Sequence, residues 1–312
     1  MPAALPRRVL VIGRSGQLAR ALARPCGQGG TGDLAYVCRG RPDLDILDLD
    51  STERAIAELE PAAVINTSAF TAVDRAEHEP ETARLLNATA AGGIAKICSR
   101  HTIPLLHIST DYVFGGKADR PRQPDDAVDP ASVYGTTKAE GEALVRENIA
   151  NHVIVRTSWL FGPEGNNFLK TMLKLASQSD KLSIVSDQVG SPTFAPDLAD
   201  GLCRIVEHIL DRPEFDQWGT FHMANEGQTS WHGFAEEIFR QGADAGLKTP
   251  ELEPIPTSAY PTDAVRPAYS VLDTGKTAAV FGVSLPAWQN AVKRCLRELR
   301  LADRDEHEGI VR

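Results

Sequence analysis

The chain has 312 residues, of which 42% are hydrophobic and 24% charged, with 25 Gly and 20 Pro, and this ordinary globular composition excludes disordered, collagenous and disulfide-scaffold classes. It is long enough for one large or two modest domains with a cleft between them. A formal net charge of -9, from 33 Lys+Arg against 42 Asp+Glu, disfavours nucleic acid and anionic membranes as partners but leaves room for a local basic pocket that takes one phosphorylated small molecule.

Residues 8–13 form a β-branched apolar run ending in glycine, and residues 17–23 have helix-forming composition. The expected order is strand, glycine turn, helix. Short apolar strands follow at 34–38, 62–67 and 104–108, separated by stretches with helical spacing such as 81–99, and a further strand is expected at 152–156. Strands alternating with helices imply right-handed crossovers and a parallel sheet covered on both faces. The texture then changes: loop-rich stretches (GPEGNNF, SDQVGSPTFAPD) mix with helices near 168–176 and 231–240. The proline-rich segment 251–267 reads as an extended wrapping loop, 286–301 as a closing helix, and the charged end ADRDEHEGIVR as a frayed tail.

The fold class predicted is α/β, a Rossmann-type doubly wound parallel sheet with a smaller mixed C-terminal substrate-binding domain. Residues 1–157 form the cofactor domain, 190–224 return to it through the strand-like GTFHMA, and 158–189 with 225–312 form the second domain. The five cysteines, Cys26, Cys38, Cys98, Cys203 and Cys295, are an odd number without a Cys-x-x-Cys pair, which fits a reducing cytoplasm. The apolar run near the N-terminus is too short for a signal sequence or a span. The eight histidines show no metal-ligand spacing, so no metal is expected.

The first turn, Gly13-Arg14-Ser15-Gly16-Gln17-Leu18-Ala19, directly follows a strand and opens a helix, where backbone amides and glycines can cradle a pyrophosphate. A plain structural turn is the competing reading. Near the end of the second strand, where an acid usually meets the adenosine ribose, stands Arg39. A cation there suits a 2'-phosphate and NADPH, with NADH as the alternative and a solvated arginine as the bland reading. Asp48 and Leu49 could border adenine, and a helix cap would also explain Asp48.

The strongest constellation is Ser109-Thr110-Asp111-Tyr112 followed by Tyr134-x-x-x-Lys138. Four residues apart on a helix, Tyr134 and Lys138 share one face. A phenol is a poor acid at neutral pH unless a neighbouring ammonium stabilises its phenolate, and Thr110 at a strand end can hold the same substrate oxygen.

With NTSAFTAVDRAE (66–77), STDYVFGG (109–116), RTSWLFGPEGNNFLKTML (156–173), SDQVGSPTFAPDLA (186–199), AYPTDAVRPAYSVLD (259–273) and FGVSLPAW (281–288), the chain resembles the extended short-chain dehydrogenase/reductases and, within them, the dTDP-4-dehydrorhamnose reductases. The resemblance covers residues 8–300. It implies reduction of dTDP-4-dehydro-L-rhamnose to dTDP-L-rhamnose, with Tyr134 as proton donor, Lys138 on the nicotinamide ribose and Thr110 on the substrate oxygen. It places Gly13, Gly16, Gln17 and Leu18 on the cofactor phosphates, Asp48 and Leu49 beside adenine, and Ala69, Phe70 and Thr71 along the cofactor. Thr110, Asp111, Trp159 and Gln188 would meet the sugar nucleotide, and Arg266 its diphosphate, with a fold-stabilising ion pair as the rival role for Arg266. Asn166 and Asn167 stand between substrate contact and loop hydrogen bonding, and Trp231 and Trp288 read as core. A homodimer is compatible with the resemblance. Rival readings are a reductase or epimerase for another 4-keto deoxysugar nucleotide, and a non-catalytic NADP-binding subunit like the methionine adenosyltransferase beta subunit. Asp111 is followed by Tyr112, so the second carboxylate of a 4,6-dehydratase is missing.

Overall fold

A computed structural model describes residues 6–24, 33–244 and 246–308; Cys26 lies outside them. In the first half the elements are β1 (Arg7–Ile12), α1 (Gln17–Ala23), β2 (Leu34–Arg39), α2 (Leu49–Leu59), β3 (Ala63–Asn66), α3 (Val73–His78), α4 (Pro80–Arg84), α5 (Ala90–Arg100), β4 (Leu105–Thr110), α6 (Val133–Asn148) and β5 (His152–Thr157). There follow β6 (Leu160–Phe161), α7 (Phe168–Gln178), β7 (Lys181–Val185), β8 (Val189–Gly190), β9 (Thr193–Phe194), α8 (Ala195–Leu210), β10 (Gly219–His222), β11 (Asn225–Glu226) and β12 (Thr229–Ser230). The chain ends with α9 (Trp231–Ala243), β13 (Glu251–Ile255), α10 (Gly275–Phe281), β14 (Leu285–Ala287) and α11 (Trp288–Glu308).

Six strands form one parallel sheet in the order β2-β1-β3-β4-β5-β10. Alternate residues of β1, β3, β4 and β5 feed two cores. Val9, Val11, Ile65 and Val153 face one way, onto Leu22 of α1, Leu198 and Leu202 of α8 and Phe281 of α10. Leu10, Ile12, Val64 and Ile154 face the other way, onto Ile56 of α2, Ile94 of α5 and Val145 of α6. Burial on both faces explains why the strands read as continuous apolar runs. The order in which strands are added reverses between β1 and β3, which is where a doubly wound sheet opens a crevice at the carboxyl ends of its strands.

Three expectations change in detail. The stretch 81–99 is not one uniform helix, because a π-helical turn at Leu85–Thr89 separates α4 from α5. The segment 251–267 is not wholly loop: β13 pairs in parallel with β7, and Pro254 is tolerated because this is a two-stranded edge pair. The closing helix begins at Trp288 and continues through Glu308, so helix extends into the tail expected to fray; 309–312 lie outside the described residues. A third core joins Phe161, Leu169, Phe194, Phe234, Ile238 and Trp288, the last as expected for a core tryptophan. No helix of the described residues is long and apolar enough to cross a membrane. Burial pushes the Cys98 and Cys295 thiols up to about 12, which leaves both as inert packing groups.

Gly13 closes β1 at φ +140°, and a Cβ there would lie 2.1 Å from the Thr67 hydroxyl. Gly13→Ala is therefore expected to lower stability by about 2 kcal/mol or more, through backbone strain and the clash. Equilibrium denaturation checks this, and an unchanged midpoint would refute it.

Candidate active site

The carboxyl edge of the sheet collects the residues singled out in the sequence. Gly16 caps α1 without a side-chain bond, and a Cβ placed on it meets nothing within 4 Å. The space over the turn is open. Leu18 turns its side chain into the core, so only its backbone can face a ligand. Gln17 accepts a hydrogen bond from Asn167 Nδ2 at 2.9 Å, and Asn167 caps α7; for Asn167 loop hydrogen bonding is the observed role.

Beside the turn is a cavity of about 420 Å³ lined by Arg14, Arg20, Arg24, Arg39, Asp43 and Glu164, among others. Arg14 pairs with Asp43 and both Arg20 and Arg24 pair with Glu164, whereas Arg39 donates to the carbonyl of its neighbour Cys38. Arg24 also pairs with Glu298, so four guanidinium groups meet three carboxylates and the hollow keeps a net positive charge in an acidic protein. That chemistry fits a phosphate, and with the open turn it fits the residues of this edge to NADPH. Asp48 is the N-cap of α2, its Oδ1 accepting from the Asp50 and Ser51 amides. Exposed Leu49 follows it. Ala69, Phe70 and Thr71 leave the end of β3; Phe70 is buried with Tyr134, Ala76 and Ala83, and Asn87 holds its backbone with a bond from the Phe70 amide and another to its carbonyl.

Tyr134 and Lys138 lie in the first turns of α6, whose N-cap is Ser132. Both are buried. Burial pushes the Tyr134 phenol well above its ordinary range, with the neighbouring Thr110 hydroxyl opposing. Lys138 Nζ donates to the Ile108 carbonyl at 2.7 Å and lies 3.4 Å from His107 Nε2. Burial brings its pKa down to about 8, with Glu142 pulling the other way. Lys138 is engaged with β4, and desolvation pushes the Tyr134 phenol up.

Thr110 ends β4 and caps the single 3₁₀ turn that follows, accepting from the Tyr112 amide. Its hydroxyl donates to Asp111 Oδ1 at 3.0 Å. Asp111 is 2% exposed, and its Oδ2 has no partner among the described residues. Burial pushes its carboxyl up to about 6, with Ser270 and Thr110 opposing. An unsatisfied buried carboxylate oxygen beside Thr110 and Tyr134 is a group prepared for a donor from outside the fold.

Trp159, at φ +45°, stacks on Trp231 with centroids 3.5 Å apart and planes 5° from parallel. Trp231 Nε1 donates to Gln188 Oε1, and Gln188 Nε2 donates to Thr257. Trp231 is thus half-buried in the same layer as Trp159 rather than plain core. Arg266 pairs with Asp74 at 2.9 Å, so the ion-pair reading describes its observed contact, while its buried Nε has no partner among the described residues. Sequence reasoning passed over Asn66, Asn87 and His107; polar residues inside apolar strands, such as His107 and Ser109 in LLHIST, were the available signal. Among the described residues no group of three or more His, Cys, Asp or Glu could hold a metal ion.

A doubly wound sheet whose carboxyl edge presents an open glycine turn, an arginine hollow and a Tyr-x-x-x-Lys helix is the architecture of the extended short-chain dehydrogenase/reductases. Within that class, the chain belongs to the family described as RmlD substrate binding domain, which matches residues 7–301. It is 41% identical over 293 residues to the dTDP-4-dehydrorhamnose reductase of Salmonella typhimurium strain LT2, covering 93% of this chain and 97% of that protein. Among solved structures it is similar to the dTDP-4-dehydrorhamnose reductase of Bacillus anthracis in complex with NADP, with TM-score 0.86 and 31% identity over 94% of this chain and 100% of that one. The corresponding reductase of Clostridium acetobutylicum gives TM-score 0.84 and 36% identity over 94% and 99%.

Proposed function

We propose that the chain reduces the 4-keto group of dTDP-4-dehydro-L-rhamnose to give dTDP-L-rhamnose, using NADPH. The observation that carries this reading is a buried Tyr134 beside Thr110, one helical turn before Lys138, in a chain whose relatives are named for that reaction. NADPH, when bound, supplies the hydride that reduces the sugar carbonyl carbon. Tyr134 gives its phenolic proton to the carbonyl oxygen as that oxygen becomes an alkoxide, and the Thr110 hydroxyl turns its one proton from Asp111 Oδ1 to the same oxygen. Lys138 binds the ribose hydroxyls, and its positive charge stabilises the tyrosinate left behind. Asp111 Oδ2 accepts from a sugar hydroxyl. Trp159 packs against the sugar ring, with Gln188 and Arg266 turned to the nucleotide side.

We assign residues 1–157 and 190–224 to the cofactor and 158–189 and 225–312 to the nucleotide sugar. In support, β10 is an edge strand of the main sheet and α8 packs against α1. The decisive experiment is oxidation of NADPH by the purified protein with freshly generated dTDP-4-dehydro-L-rhamnose, the product's C4 configuration being read by NMR. Consumption of NADPH with the C4 epimer as product would assign the opposite stereochemistry, consumption only with a different 4-keto deoxysugar nucleotide would favour that rival, and no consumption with any of them would favour the non-catalytic reading.

Arg39 takes the 2'-phosphate in this scheme. Arg39→Asp should lower the NADPH-over-NADH ratio of specificity constants by about 10- to 100-fold, the worth of one charged hydrogen bond. An unchanged ratio would make Arg39 a surface residue only.

A further inference from the structure

Three buried side chains lie in a row behind the site, one on each of β3, β4 and α6. Asn66, His107 and Lys138 are all nearly inaccessible. The Ser68 amide donates to Asn66 Oδ1 at 3.1 Å. A backbone N–H can only donate, so that oxygen is fixed and the Asn66 amide nitrogen is the atom that faces His107 Nδ1, at 3.2 Å. Nδ1 must then accept. Burial holds the His107 pKa well below its ordinary value, with the Lys138 charge adding to the effect, so the ring is neutral and carries its one proton on Nε2. That N–H points at Lys138 Nζ, 3.4 Å away. An ammonium has three donors and no lone pair, whereas the neutral amine can accept.

We propose that Asn66 and His107 form a positioning chain that presents an N–H, not a lone pair, to Lys138, and so disfavours its ammonium form. The chain acts on the lysine charge used in the reaction proposed above, and its kinetic test rests on that reading. Other groups bear on the same nitrogen. Glu142, one turn further along α6, favours the ammonium, but its carboxylate is already engaged by Arg156 of β5, by Arg146 and by Ser109. Tyr134 lies one turn before Lys138, a charge on His152 of β5 would oppose one on His107, and Asp111 follows the strand that carries His107. The Ile108 carbonyl accepts from Nζ in either charge state. A donor aimed at the lysine is thus set against Glu142, and the balance leaves Lys138 able to change charge close to neutral pH.

The first test uses the wild-type protein alone, labelled with ¹⁵N-histidine. The expected result is a His107 ring protonated at Nε2 and bare at Nδ1; an Nδ1-protonated ring or an imidazolium would overturn the proposal whatever the enzyme reduces. The second test is the pH profile of kcat/KM, whose alkaline limb marks loss of the Lys138 proton. Asn66→Asp keeps an oxygen for the Ser68 amide but accepts from Nδ1–H, reversing the tautomer so that the Nε2 lone pair meets the ammonium. The limb should move up by about one pH unit or more. In a His107→Leu background the added carboxylate has no tautomer to reverse, and most of that shift should vanish. A full shift in both backgrounds would reduce Asn66→Asp to a simple charge effect and overturn the chain.

Discussion

Tyr134→Phe lowers kcat by about 10²- to 10⁴-fold, the range for removing a positioned general acid, while the affinity for NADPH stays within about a factor of two. The two outcomes separate because the ring and the hydroxyl do different things. The ring packs with Phe70, Ala76 and Ala83 and survives the substitution, so the site keeps its shape. The hydroxyl alone meets Thr110 and the reacting oxygen. Steady-state NADPH oxidation gives the first quantity and fluorescence titration of bound NADPH the second. Wild-type turnover in the variant would remove Tyr134 from the mechanism, and loss of both properties would point to a misfolded site.

The largest expected effect on stability lies behind the site. Glu142 is fully buried and accepts from Arg156 Nε at 2.8 Å and from an Arg156 terminal nitrogen at 2.7 Å, with Ser109 at 2.6 Å on the same carboxylate. Glu142→Gln removes the charge but not the volume, leaving a buried guanidinium without its counterion, which costs about 3–5 kcal/mol. Burial pushes the Glu142 carboxyl up, but the bond and charge of Arg156 and the bond from Ser109 more than reverse it, and the net pKa is below the ordinary value. A depressed folded-state pKa contributes stability that is complete above the unfolded value, about 4.3, and fades as the pH falls through the folded value. The difference between wild type and Glu142→Gln should therefore be largest near pH 7 and shrink well below pH 4. Urea denaturation at the two pH values checks it, and a pH-independent difference would show that geometry rather than charge is at stake.

What could be read in advance followed period and position. The parallel sheet was legible because strands buried on both faces spell continuous apolar runs, and the Tyr134–Lys138 pair because four residues make about one helical turn. Strand β13 was not legible: Pro254 and its neighbouring prolines spell loop, and only the exposed edge of β7 turns Glu251–Ile255 into a strand. The charge states were hidden as well. Nothing local to Lys138 says that it is desolvated, since that depends on β4 and β5 closing over α6. Nor does the sequence near Arg266 reveal Asp74, almost two hundred positions earlier, as its partner.

Sheet order also has a consequence for how the chain is made. β5 is complete at Thr157, yet the strand that covers its outer edge, β10, begins only at Gly219, and α8, which supplies Leu198, Leu202 and Ile205 to one face of the sheet, comes between them. A ribosome-bound chain that has released only the first half therefore shows an uncovered strand edge and a bare apolar face, the surfaces on which nascent chains aggregate. Synthesis must pass residue 222 before the first half can close. The two halves are interleaved in time as well as in space.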